Sequence, residues 1–279
     1  MGYSILNGEI HVFGEHLFSI KQTLECGQVF RFTKYGEVYK LFAGKQNCGL
    51  LCEESRVIIK STAPAYFVNY FDLERDYTQI KSALSAYPNI KEAVEFGSGI
   101  RILNQDIEET IYSFIISANN NIPKIKRTIE AICEGIGERT EAGFAFPSTK
   151  VIASQDISFF KKAGAGYRAE YIVNTAKAIE SGFSLDISGM STESARKHFT
   201  KLSGVGNKVA DCILLFAYRR TDCFPTDIWI ERVYCGMFGE NNLSREAKSA
   251  KLTQLFGSHS GYAQQYLFYF AREARKNKI

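Results

Sequence analysis

The chain has 279 residues, enough for about two domains at roughly 150 residues each. With 45% hydrophobic and 23% charged residues it matches globular composition, which excludes disordered, collagen-like and low-complexity classes. Its 34 basic and 30 acidic side chains leave a net charge of +4, the sign a nucleic-acid binder needs but too small to identify one.

The opening, MGYSILNGEIHVF, has no basic leader and no long apolar run, so a cytoplasmic location is expected. Met1-Gly2 opens like a myristoylation signal, but Leu6 stands where that signal needs Ser or Thr. No stretch reaches the roughly 18 apolar residues of a membrane span. The seven cysteines are odd in number and scattered, and read as reduced, mostly buried thiols. Cys48 and Cys52 are the one close pair, with no second pair at zinc-ligand spacing.

From Gly8 to Lys60 short apolar segments (EIHVFG, HLFSIKQ, QVFRFTKYGEVYKLFAG, GLLCEESRVIIK) recur between turn residues. Val29, Arg31 and Thr33 alternate with Phe30 and Phe32, the period of a half-buried strand. Lys34-Tyr35-Gly36-Glu37 and Cys52-Glu53-Glu54-Ser55 read as hairpin turns, so an antiparallel sheet is expected. From Ala65 the period lengthens to about 3.6, as in AYFVNYF, DYTQIKSALSAY, IEETIYSFIISAN and IPKIKRTIEAICEGI. The spacing predicts further helices over Val151–Ala163, Arg168–Ser181, Thr192–Leu202, Asn207–Tyr218, Ile228–Phe238, Ser244–Phe256 and Gly261–Lys276. The expected fold is α+β: a small N-terminal antiparallel sheet (domain 1–85) packed on a larger all-α region (86–279).

Residues 197–233 carry the chemistry. Gly204-Val205-Gly206 separates two amphipathic helical patterns by a few residues and must be a tight connection. The N–H groups opening the second helix then form a phosphate site, although an ordinary helix–helix turn explains a Gly-x-Gly equally well. Lys208 follows at once, where the helix dipole disfavours positive charge, the placement a nucleophilic amine requires. A surface lysine on the polar helix face is the plainer account. Nineteen residues on, Pro225-Thr226-Asp227 precedes an apolar helical run, and Asp227 reads as an N-cap able to orient a nucleophile as well.

Together, Leu202-Ser203-Gly204-Val205-Gly206, Lys208 and Pro225-Thr226-Asp227 resemble the helix–hairpin–helix Gly/Pro-Asp superfamily of DNA base-excision glycosylases, with the hairpin unit at about 192–218. The resemblance implies that Lys208 attacks the sugar carbon bearing the base and forms a Schiff base permitting β-elimination, with Asp227 stabilising the developing charge.

Further strings resemble the 8-oxoguanine DNA glycosylase/lyases. Cys26-Gly27-Gln28-Val29-Phe30-Arg31-Phe32 is similar to that family's Gly-Gln-x-Phe-Arg-Trp strand. Its glycine carbonyl, here that of Gly27, accepts the ring N–H that oxidised guanine has and guanine lacks. Ser117-Ala118-Asn119-Asn120-Asn121-Ile122 resembles Ser-x-Asn-Asn-Asn-Ile, which implies that Asn119 fills the hole left by the flipped nucleotide. Gly164-Ala165-Gly166-Tyr167-Arg168-Ala169 resembles a Gly-Tyr-Arg-Ala loop, with Tyr167 as a wedge and Arg168 bonding the estranged base. Gly261-Tyr262-Ala263-Gln264 with Phe268 resembles the final helix, where Gln264 reads the flipped base and Phe268 stacks on it, with Cys212 on the opposite face.

Two positions depart from the vertebrate-type pattern. Lys124 stands where an arginine contacts the orphaned cytosine, and lysine lacks arginine's planar fork, so discrimination for cytosine is expected to weaken. Trp229 replaces a histidine two residues after Asp227, at an expected DNA contact. The resemblance also implies a monomer acting on damaged duplex DNA (in the nucleoid of a bacterium) and no required cofactor. The carbonyls of Thr200, Leu202 and Val205 are candidates for a structural monovalent or calcium ion.

The iron–sulfur pyrimidine-lesion relatives need four cysteines near the C-terminus, and none follows Cys235. Mismatch adenine glycosylases fail the same test. A non-catalytic helix–hairpin–helix module is the alternative of another class. In it Lys208 only neutralises a phosphate, within a basic face of Lys124, Lys126, Arg127, Arg168, Lys201, Arg219 and Arg220.

Overall fold

A computed structural model describes residues 2–14, 18–53, 56–239 and 242–276. Strands β1 (Gly2–Leu6), β2 (Glu9–Phe13), β3 (Phe32–Tyr35), β4 (Val38–Ala43), β5 (Gln46–Glu53) and β6 (Arg56–Lys60) form one antiparallel sheet in the order β1-β2-β6-β5-β4-β3. Asn7-Gly8 joins β1 to β2 with both residues at positive φ, and Gly36 and Gly44 (φ +57° each) open the two-residue turns flanking β4. One face of the sheet buries Ile10, Val12, Leu41, Leu50 and Ile59 beneath α1 (Ile20–Glu25) and α2 (Pro64–Tyr70).

The rest is helical apart from one hairpin. In chain order come α3 (Tyr77–Ser85), α4 (Pro88–Phe96), α5 (Ile107–Ser117) and α6 (Ile122–Ile136), then β7 (Arg139–Thr140) and β8 (Gly143–Phe144). After them come α7 (Thr149–Ala153), α8 (Ile157–Lys162), α9 (Arg168–Glu180), α10 (Thr192–Phe199), α11 (Asn207–Tyr218), α12 (Ile228–Phe238), α13 (Arg245–Phe256) and α14 (Ser260–Lys276). α5 is buried on every side from Glu109 to Ile116 and forms the axis of this region, as a helix apolar all round must. No described helix is long and apolar enough to cross a membrane.

Several details differ from the sequence expectation, among them α4, which none of the expected helices covers. HLFSIKQ holds a helix, because Ser19 caps it through Gln22 N and Ile20, Thr23 and Leu24 bury one face. Residues 139–144 add a short hairpin to a region expected to be all α, and the helix at Val151–Ala163 is two, since Asp156 turns the chain extended and starts α8. Finally, Val29, Phe30 and Arg31 are buried on both sides: Val29 joins the sheet core and Phe30 the helical core. Glu54 and Ser55 of the second expected turn lie outside the described residues.

Candidate active site

The hairpin lies between α10 and α11. Leu202 and Val205 anchor it in the core, and Gly204 takes φ +78°. Gly206, with an ordinary φ, is the N-cap of α11 and supplies no side-chain cap, so the first-turn N–H groups stay open to an anion. Arg196 pairs with buried Asp211 at 2.5 Å across the two helices. Burial pushes the Asp211 carboxyl up to about 6, with Arg196 opposing. Among the described residues the carbonyls of Thr200 and Val205 accept no hydrogen bond, while that of Leu202 accepts Val205 N at 3.2 Å.

Lys208 lies in the first turn of α11 with its ammonium 5.1 Å from the centroid of the Phe114 ring. Cys212 is one turn on, its thiol pushed up to about 11 by burial, against the opposing charge of Lys208. Asp227 caps α12, where Oδ1 accepts Trp229 N at 2.9 Å and Ile230 N at 3.0 Å. Its second oxygen has no hydrogen bond among the described residues.

Two cavities meet here. The larger, about 690 Å³, is lined by Ser117–Asn120, the hairpin glycines, Trp229 and the start of α13. The smaller, about 40 Å³, is lined by Cys26, Gly27, Cys212, Gln264, Gln265 and Phe268 among others. Lys208 and Asp227 are the two residues common to both linings.

The four residues expected around a base thus face one small space. Gly27 has φ +89°, a conformation that favours glycine, and a Cβ there would press on Phe268 Cε1 at 3.0 Å and Arg272 Nη1 at 3.2 Å. Gln264 is 6% exposed, and its Oε1 is buried without a hydrogen-bond partner. Three side chains support these walls. Gln28, fully buried, donates to the carbonyls of Thr23 and Arg101 and accepts Leu103 N, which pins the loop bearing Gly27. Gln265 donates to Cys26 O at 2.9 Å, and Arg272 donates to Glu25 O. Gln28 belongs to the strand motif and Gln265 sits beside a motif residue, whereas Arg272 leaves no signal beyond its place one turn after Phe268.

At the other end of the larger cavity the three asparagines divide their work. Asn119 turns the chain with φ +50°, Asn120 donates to Ile116 O, and Asn121 caps α6 through Lys124 N. Tyr167 is 53% exposed at the start of α9, and Lys124 is exposed on the first turn of α6, outside both linings. Arg168 is placed otherwise than expected. It is 4% exposed and donates to the carbonyls of Ala118, Asn119 and Ala165, so its guanidinium supports the Asn119 turn from behind. Of the rest of the expected basic set, Lys126 sits over the Phe32 ring, Arg219 bonds Asn69 while remaining exposed, and Arg220 bonds Met190 O.

Known proteins match this arrangement. A model of the 8-oxoguanine DNA glycosylase N-terminal domain matches residues 11–111, and one of the HhH-GPD superfamily base-excision DNA repair proteins matches residues 112–257. The solved structure of MBOgg1 with a low-affinity DNA ligand is 36% identical, covers 99% of this chain and 100% of its own, and superposes with a TM-score of 0.93. The Clostridium acetobutylicum 8-oxoguanine glycosylase/lyase, solved with duplex DNA containing cytosine opposite 8-oxoguanine, is 34% identical over 100% of this chain and 99% of its own, with a TM-score of 0.93. A Methanothermobacter thermautotrophicus protein named probable N-glycosylase/DNA lyase is 31% identical over 73% of this chain and 72% of its own. The hairpin, the lysine and the aspartate between two cavities therefore stand in a chain that belongs to the helix–hairpin–helix Gly/Pro-Asp superfamily of base-excision DNA repair proteins, in its 8-oxoguanine glycosylase/lyase branch.

Proposed function

We propose that this protein flips 8-oxoguanine out of duplex DNA, excises it, and cleaves the strand through a Schiff base on Lys208. The observation that carries the reading is the shared position of Lys208 and Asp227 between a large cavity and a small one. A nucleotide whose backbone stays in the first and whose base enters the second must present its glycosidic bond to those two side chains.

The Lys208 nitrogen attacks the sugar carbon as the carbon–nitrogen bond to the base breaks, and the proton it sheds passes to the departing base. The bonding pair leaves with the base. The free Asp227 oxygen stabilises positive charge on the sugar and relays protons as the ring opens to the imine. Loss of a proton from the adjacent carbon then expels the 3′ phosphate, and water releases the lysine. In the small cavity the Gly27 carbonyl accepts the ring N–H peculiar to the oxidised base, Gln264 pairs with its edge, and Phe268 and Cys212 face its two sides. Asn119 and Tyr167 occupy the gap in the duplex, Trp229 and the hairpin N–H groups meet phosphate, and the Thr200, Leu202 and Val205 carbonyls would hold a monovalent or calcium ion that fixes the hairpin's shape. The Clostridium relative's complex with a lesion duplex supports the substrate class.

Borohydride trapping on duplex DNA with one 8-oxoguanine tests the mechanism. The intact protein gives a covalent adduct and Lys208→Gln gives none. Tight binding without an adduct would instead mean a monofunctional enzyme or a binding module. The same duplexes carrying each of the four opposing bases test Lys124. Excision rates within about tenfold across them are expected, and a preference for cytosine of several orders of magnitude refutes the weakened discrimination.

A further inference from the structure

The hairpin and the Asn119 turn are separate loops that both rest on α9. Thr175 Oγ1 donates to Ser203 O of the hairpin at 2.8 Å. One turn earlier, Tyr171 lies so close to Gly204 that a Cβ there would fall 2.7 Å from Tyr171 Cβ and 2.8 Å from its ring. The Tyr171 ring meets Tyr167 edge to face, with centroids 5.8 Å apart at 83°. The same Tyr167 ring has the Arg168 guanidinium 4.3 Å from its centroid, and Arg168 holds the Ala118 and Asn119 carbonyls. A line of contacts thus runs from hairpin to Asn119 turn. Tyr171 is its middle link, is 37% exposed, and lines neither cavity.

We infer that Tyr171 is a positioning residue whose ring sets the spacing between the phosphate-binding hairpin and the Tyr167 wedge. The inference rests on the role given to Tyr167 under the proposed function. An exposed wedge works best when its rotamer is fixed before DNA arrives, and an edge-to-face partner fixes it at little entropic cost. The hairpin can approach that partner only because residue 204 has no Cβ and tolerates positive φ.

The test is single-turnover excision of 8-oxoguanine by the intact protein, Tyr171→Ala, Tyr171→Phe, Tyr167→Ala and the double alanine variant, with a melting curve for each. Tyr171→Ala is expected to slow excision about tenfold, and Tyr171→Phe, which keeps the ring, to stay within about twofold. Added to Tyr167→Ala, the Tyr171→Ala change should cost less than about twofold more, because the link then positions nothing. Effects that multiply in the double variant overturn the inference, since Tyr171 would then act on DNA by itself. Equal losses in Phe and Ala overturn it too, since the hydroxyl would then matter. If Tyr171→Ala does not fold, Tyr171→Leu, which keeps apolar bulk without the ring edge, takes its place, combined with Tyr167→Ala, and a multiplied loss there is equally fatal. Failure of the intact protein to excise 8-oxoguanine sinks the parent reading, whereas excision with multiplying effects sinks the Tyr171 role alone.

Discussion

Gln264 holds a buried amide oxygen without a hydrogen-bond partner. An unpaired group of this kind costs about 1–3 kcal/mol, which a donor on an entering base would recover. Gln264→Leu is therefore expected to raise the unfolding free energy by about 1 kcal/mol while slowing excision at least about tenfold. Urea unfolding and single-turnover rates check the two halves, and a variant that loses stability refutes the unpaired oxygen. The sequence names Gly27, Cys212, Gln264 and Phe268 as motif members, but their meeting in one cavity depends on three-dimensional packing. Arg168 marks the limit. Its place beside Tyr167 is readable, but its inward turn is not, because the carbonyls that hold it come from another loop.

Among the elements, the legible ones announce their own ends. Asn121, Asp227 and Ser244 cap α6, α12 and α13 through side chains, and each is a residue type that competes for backbone N–H groups. The hairpin is legible for a similar reason, since two glycines interrupt strong helical periods. Short elements are not. α1 has six residues, too few for a 3.6 period to differ from a strand's alternation, and the break between α7 and α8 rests on Ser154-Gln155-Asp156 without Gly or Pro. α4 is not legible either, although Pro88 opens it, because only Ile90, Ala93 and Val94 of its nine residues are buried. Nothing in the spacing of Arg196 and Asp211 shows that they pair across the hairpin helices, yet that buried pair ties the hairpin to one geometry.

The described residues form two apolar cores, and charged groups are buried where they meet. Arg31 bonds Phe144 O and faces Glu130, while Glu109 of α5 accepts Gly44 N at 2.9 Å from the turn after β4. Burial pushes the Glu109 carboxyl up to about 7, against the opposing charge of Arg31. A carboxyl raised on folding contributes stability in full below its unfolded value near 4.5 and loses that contribution as pH rises through about 7. The loss reaches about 3 kcal/mol. Glu109→Gln still accepts from Gly44 but cannot ionise, so its stability should be flatter between pH 5 and pH 8 and exceed the parent's at pH 8. Parallel pH profiles of melting temperature for the two proteins would refute this.

The bond from Gln265 to Cys26 O joins positions 239 residues apart, so the loop bearing Gly27 and the helix bearing Gln264 come from opposite ends of the chain. During synthesis the first wall of that space is made early, Lys208 and Asp227 follow, and the last wall emerges only with the final helix. A product truncated before residue 264 would therefore carry Lys208 and Asp227 with one wall of that space missing.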